Sequence, residues 1–153
     1  MRIVIQRVTR ASVRVGGEQR AAIGPGLLLL VGVERGDDES LVDKAAEKIV
    51  HMRIFAAQAQ AVERDRQMDR SVLDIAGEIL VVSQFTLAAS LRKGRRPGFD
   101  TAAPPEQAEP IYERLVSALA GRGARVAKGV FRAMMEIELV NDGPVTFILE
   151  PGE

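Results

Sequence analysis

Residues 27–33 read Leu-Leu-Leu-Leu-Val-Gly-Val, an apolar run with no alternation, entered through the turn signal Gly24-Pro25-Gly26. A strand with one wet face alternates polar and apolar residues, so an unalternating run of this length implies a strand covered on both faces. That places the run at the centre of a sheet. Residues 2–15 read as two short strands: Ile3, Val4 and Ile5 are β-branched, then Ala11, Val13 and Val15 alternate with Ser12 and Arg14. Gly16-Gly17 predicts a hairpin turn, with residues 18–23 returning as partner.

Helical spacing follows. Ser40 with Asp43 resembles a capping box, and Leu41, Ala45, Ile49 and Met52 recur at the helical period, predicting a helix over 41–52. Residues 58–70 are polar and aperiodic and are expected to form a loop. A strand is expected over 78–87 and a second helix over 106–120, closed by Gly121 and Gly123. Pro110 requires that helix either to start near Glu109 or to kink. Residues 131–140 and 145–149 read as strands around Asn141-Asp142-Gly143-Pro144. The order of elements predicts one α+β domain spanning residues 1–153: two helices on a mainly antiparallel sheet or partly closed barrel.

Composition then narrows the chemistry. With 46% hydrophobic residues and 21 cations against 21 anions, the chain is neither disordered nor held to nucleic acid by bulk charge. The longest apolar run, residues 27–31, is far short of a membrane span, and Gln6 and Arg7 interrupt any leader-like core, so a cytoplasmic location is expected. Zero Cys excludes thiolate nucleophiles and Cys-ligated metals, and a single His, His51, cannot build a multi-His site within one chain. His51 falls in a helical pattern, where a surface role outweighs a catalytic one. No phosphate loop, dinucleotide fingerprint or nucleophile elbow is present. Catalysis by such a chain must therefore rest on backbone groups, hydroxyls or the substrate itself.

Three segments stand out. In Ser83-Gln84-Phe85-Thr86-Leu87 an apolar strand acquires hydrogen-bonding side chains. This is either a strand passing from core to surface, which spacing alone favours, or a strand end offering N–H groups to an oxyanion. Asn141-Asp142-Gly143-Pro144-Val145-Thr146 reads as a tight hairpin turn or, through its Gly-Pro, as a rigid steric gauge. Arg92, Lys93, Arg95 and Arg96 form either a solvated loop or a local phosphate contact.

Together these residues resemble the D-aminoacyl-tRNA deacylase family. The similarity runs over essentially the whole chain, from Gln6-Arg7-Val8 through Arg53-Ile54-Phe55, Ser83 to Leu87, Arg96-Pro97, Phe99 and Tyr112 to Asn141-Asp142-Gly143-Pro144-Val145-Thr146. The resemblance implies that family's fold and the hydrolysis of the ester joining a D-amino acid to the tRNA 3′ acceptor end. It also implies release of Gly mischarged on tRNA specific for alanine. No metal and no cofactor is implied. The expected partners are aminoacyl-tRNA and a second copy of the chain, with the active site at the subunit interface, and neither membrane nor DNA.

The resemblance assigns catalysis to Ser83, Gln84, Phe85 and Thr86, and substrate binding to Met135, Asn141, Gly143, Pro144, Val145 and Thr146. Arg92, Lys93, Arg95 and Arg96 are assigned to tRNA. Gly143-Pro144, in cis form, would grip the substrate amino group and exclude L side chains. Attack assisted by the substrate's ribose 2′-hydroxyl ranks above Thr86 as a covalent nucleophile, because no base lies near Thr86 in sequence. The segment from Gly129 to Met135 follows the family's G-x-F-G-A-x-M except that Arg132 replaces the second Gly, and Gly98 stands where Ser is common. The alternative is a non-catalytic dimeric tRNA- or metabolite-binding module of the same fold.

Overall fold

The computed structural model describes residues 1–57, 68–92 and 94–152. Six strands and two helices follow in the order β1 (Arg2–Val15), β2 (Glu18–Ile23), β3 (Gly26–Gly32), α1 (Glu39–His51), β4 (Glu78–Ser83), α2 (Pro105–Gly121), β5 (Arg125–Lys128) and β6 (Glu136–Leu149), with a 3₁₀ turn at Phe85–Ala88. The sheet is mixed and nearly closed into a barrel. β1 pairs antiparallel with β2, β3 and β6, whereas β3–β4 and β4–β5 are parallel.

β3 lies at the middle of the order β2-β1-β3-β4-β5, as its sequence requires. Its side chains alternate between two apolar clusters. Leu27, Leu29 and Val31 join Ile79 and Val81 of β4 under the helices, while Leu28 meets Leu80 and Val82 on the other face, inside the barrel. Burying a leucine side chain contributes about 1.5–3 kcal/mol, so neither face of β3 tolerates a polar residue. α1 and α2 close the first cluster with Val42, Ile49, Leu115 and Leu119. No helix among the described residues is long and apolar enough to cross a membrane.

Several elements differ from the sequence expectation. Residues 2–15 form one strand rather than two. Its register against β6 shifts between Gln6 and Arg10, and it changes the face it buries: Ile3 and Ile5 lie under the helices, Ala11 and Val13 in the barrel. α1 is capped by Asp38 rather than Ser40. The Asp38 carboxylate accepts from the Ser40 and Leu41 N–H groups at 2.9 and 3.1 Å, and the Ser40 hydroxyl beside it holds its pKa below the usual carboxylate value. α2 starts at Pro105 and carries Pro110 inside it. β5 has no counterpart in the sequence reading, because four residues, Arg-Val-Ala-Lys, make too short a pattern.

Two corrections bear on the site. The expected strand over 78–87 ends at Ser83, and the chain turns into the 3₁₀ helix. Residues 131–135 are not strand, and the expected hairpin at 141–144 is absent: β6 runs through it. Gln6 pairs with Thr146 and Val8 with Asn141, so residues 142–145 stand opposite Arg7 alone, as a bulge. A bulge frees Pro144 from donating to the ladder. Residues 58–67 of the expected loop lie outside the described residues.

Candidate active site

A cavity of about 670 Å³ opens beside the end of β4, a size suited to a nucleoside-scale ligand. Ser83, Gln84 and Phe85 line it from the strand end, Tyr112 from α2, and Phe131 and Met135 from the β5–β6 connection. Its floor is fixed by hydrogen bonds. The Tyr112 hydroxyl donates to the Val81 carbonyl at 2.9 Å, which also accepts from Gly129 N–H at 2.9 Å. Burial, with the Glu113 charge second, pushes the Tyr112 phenol well above its ordinary pKa, so it serves as a neutral donor. Gly129 leaves room for Met135: a Cβ there would lie 2.8 Å from the Met135 sulfur, and that flexible side chain would have to shift.

The strand end is arranged to present backbone donors. Gln84 N–H still belongs to the sheet, donating to Val31 O at 2.8 Å, and the 3₁₀ turn then begins. The first N–H groups of any helix have no intrahelical acceptor. Those of Phe85 and Thr86 find none among the described residues. The turn is pressed against β3 at Gly32, where a Cβ would stand 2.8 Å from Leu87 Cβ and 3.1 Å from Gln84 O. Thr86 is exposed and outside the cavity lining, and its hydroxyl accepts a short hydrogen bond from the Gln84 amide.

No carboxylate, imidazole or thiol among the described residues lines the cavity. Among the described residues no group of three His, Cys, Asp or Glu side chains could hold a metal. His51 is on the surface at the last residue of α1, 3.3 Å from Glu47 one turn back. Two charged side chains, Arg35 and Arg132, complete the lining. Arg132 has φ +64°, a conformation that costs an L-residue about 1 kcal/mol.

Asn141, Gly143, Pro144, Val145 and Thr146 do not line the cavity of their own chain; they build the bulge of β6. The Gly143-Pro144 bond is cis, and Gly143 has φ +126°. Arg7 anchors the bulge from β1: its Nε donates to Asp142 O at 3.1 Å and its Nη1 to Ile54 O at 2.5 Å. Asn141 completes the frame by donating to Thr146 Oγ1 at 2.9 Å and accepting from Val145 N–H at 3.0 Å. Gly143 and Pro144 therefore sit exposed on a braced crest. The bracing role of Arg7 has no local signal in the sequence, because Asp142 is 135 residues away.

Arg92, Arg95 and Arg96 are exposed on a loop pinched by the Ser90–Gly98 bridge, and none pairs with a carboxylate among the described residues. Lys93 lies outside the described residues. The base of this loop adjoins the cavity, since the Phe99 ring packs on Phe85 with centroids 5.1 Å apart.

The fold is thus a mixed, nearly closed barrel with two helices, carrying a cavity beside two N–H groups that have no acceptor among the described residues. Residues 4–150 match the family model described as D-Tyr-tRNA(Tyr) deacylase. The D-aminoacyl-tRNA deacylase of Symbiobacterium thermophilum is 50% identical over 150 residues, covering 98% of this chain and 95% of that one. That of Thermomicrobium roseum is 49% identical over 153 residues, covering 100% and 96%. A solved structure titled c-Myc DNA Unwinding Element Binding Protein superposes with TM-score 0.87 at 41% identity, covering 98% of both chains. A probable eukaryotic D-amino acid tRNA deacylase shares the fold, with TM-score 0.82 at 17% identity over 97% of each chain. The chain belongs to the D-Tyr-tRNA(Tyr) deacylase family.

Proposed function

We propose that the protein hydrolyses the ester of D-aminoacyl-tRNA, releasing tRNA and the D-amino acid, and spares the L-ester. The observation that carries this reading is that, among the described residues, the N–H groups of Phe85 and Thr86 have no acceptor and the apolar cavity beside them has no side-chain base. Donors placed where negative charge develops are worth about 3–4 kcal/mol each in acyl transfer. Water adds to the ester carbonyl, and the resulting oxyanion rests on the two N–H groups. Collapse expels the ribose oxygen, with the proton passing from water to that leaving oxygen through the neighbouring ribose hydroxyl. Thr86 as nucleophile is disfavoured, because its hydroxyl faces the Gln84 amide rather than a base.

Selection against L-substrates is assigned to Gly143-Pro144 of a second copy, reaching into the cavity. The exposed crest supports this, as does β6, which pairs only with β1 among the described residues and exposes Val140, Phe147 and Ile148. A rigid wall that clashes with the wrong enantiomer discriminates more strongly than a pocket that gains one extra contact. Glycine has no side chain to clash, so Gly on tRNA specific for alanine is a further substrate. The exposed arginines beside Phe99 contact tRNA phosphates. The chain acts as a single domain in the cytoplasm, without metal or cofactor.

The test is release of labelled amino acid from D-Tyr-tRNA, L-Tyr-tRNA and Gly-tRNA at enzyme well below substrate. Turnover of the D- and Gly-esters with the L-ester spared is expected. Retention of tRNA without turnover of any ester would favour the binding module instead.

A further inference from the structure

Among the described residues Arg35 and Arg132 are the two charged side chains lining the cavity, both cations, both exposed, and so placed at its mouth rather than its floor. They come from separate segments. Arg35 follows β3, held by its N–H to Thr101 O at 2.9 Å and by Nε to Asp100 O at 3.0 Å. Arg132 sits in a turn closed by Ala133 N–H to Val130 O at 3.2 Å, and its side chain has no hydrogen-bond or ion-pair partner among the described residues. An arginine kept at positive φ without an internal partner points to an external one.

The rest of the lining is largely apolar and, among the described residues, holds no carboxylate. A ligand suited to this cavity therefore presents apolar or neutral surface to the interior and one anion to the mouth. On the deacylase reading, on which this inference rests, the ester carries a cationic amine and a neutral adenosine. Its one nearby anion is the phosphodiester on the 5′ side of that adenosine. We propose that Arg132, with Arg35, binds this terminal phosphodiester, so that the 3′ end of the tRNA is anchored at the cavity mouth itself as well as by the neighbouring basic loop. Guanidinium groups suit the task, since their fork matches two phosphate oxygens.

The test compares the folded protein with Arg132→Gly and Arg35→Gln, using adenosine and adenosine 5′-monophosphate as binding probes. The unaltered protein should hold the monophosphate about fivefold more tightly than adenosine, the upper range for an exposed ion pair. In Arg132→Gly the preference should fall below about twofold, on the same scale. With D-Tyr-tRNA the same variant should lose about fivefold in kcat/KM through KM, and the loss on D-tyrosyl-adenosine, which lacks the phosphodiester, should be smaller. The salt dependence of binding should flatten by roughly 0.7 of a slope unit, the value for one single-stranded phosphate. Because glycine suits φ +64° better than arginine, the variant should be at least as heat-stable, which separates lost contact from lost fold.

Equal affinity of the unaltered protein for the two probes would overturn the proposal, and so would equal losses on both esters. A change in dimerisation with the monophosphate preference intact would show that Arg132 serves a second copy instead. If no ester is hydrolysed yet the preference appears and Arg132→Gly removes it, the deacylase reading fails and the anion site stands.

Discussion

Gly32→Ala probes whether the 3₁₀ turn is positioned by contact with β3. The added methyl would lie 2.8 Å from Leu87 Cβ, 3.1 Å from Gln84 O and 3.5 Å from Ala88 N. Carbon–carbon contacts prefer about 3.5–4.0 Å, so the turn must retreat by roughly 0.7–1.2 Å. No rotamer change relieves the clash, because the opposing atom is a Cβ. Nor can β3 yield, since Gly32 pairs with Arg2 of β1 and the neighbouring Val31 with Ser83 of β4. The exposed turn moves instead, carrying the Phe85 and Thr86 N–H groups with it.

Overpacking costs about 1–3 kcal/mol. Burial of the methyl returns about 0.8 kcal/mol, and the stiffer unfolded chain about 0.5 kcal/mol. The net loss, about 1 kcal/mol, lowers Tm by roughly 2–4 °C in a chain of this size. The catalytic loss should be much larger, since a 1 Å misplacement of reacting geometry costs about 10²-fold. Thermal unfolding and single-turnover hydrolysis of D-Tyr-tRNA measure the two effects side by side. Gly121→Ala serves as control, because a Cβ there meets nothing within 4 Å. If Gly32→Ala turns over within about twofold of the parent despite a lowered Tm, the Phe85 and Thr86 amides are not the oxyanion site.

Tyr112→Phe should destabilise by about 0.5–1.5 kcal/mol in chemical denaturation, because Val81 O loses one of two donors but not both. Its pH dependence has a definite sign. Burial keeps the folded phenol protonated where the unfolded one ionises, so parent stability holds below about pH 10 and declines above it. The Phe variant should lack that part of the alkaline decline. Thr86→Ala should keep turnover within about tenfold if the substrate's own hydroxyl assists, whereas abolished turnover in a folded variant would establish the covalent route. Pro144→Ala should raise hydrolysis of L-Tyr-tRNA relative to D-Tyr-tRNA, and an unchanged ratio would remove the crest from chiral selection. Finally, His51→Ala should leave the pH–rate profile between pH 5 and 8 unaltered, since no imidazole lines the cavity; loss of an inflection within that interval would contradict a base-free site.

The parts of the fold legible in the sequence are those fixed by one local pattern. Residues 27–33 lack alternation because both faces of β3 are buried, and the Gly16-Gly17 hairpin is set by two positive φ values, +58° and +81°. The end of β4 was not legible. Ser83 to Leu87 keeps a strand-like composition, yet the chain leaves the sheet after Ser83, at a turn packed against Gly32, some fifty residues earlier in the chain. Likewise Asn141 to Pro144 has the composition of a hairpin turn. It becomes a bulge because β1 is long enough to pair on both sides of it and supplies Arg7 to hold its crest.

The same asymmetry explains why the site was only half visible. The groups proposed to work there are main-chain N–H and C=O groups, which nearly every residue carries, so composition shows nothing except the lack of alternatives: no Cys and one His. What distinguishes these N–H groups is that two of them have no acceptor among the described residues, which is a property of where β4 stops. Side chains then enter as braces rather than reagents. Tyr112 fixes the floor through Val81 O, Gln84 occupies the Thr86 hydroxyl, and Arg7 fixes the crest. Arg132 is the exception, a side chain lining the cavity with no hydrogen-bond or ion-pair partner among the described residues. In a site built from backbone, an unpaired side chain at the mouth is the position where ligand recognition can vary without disturbing the chemistry.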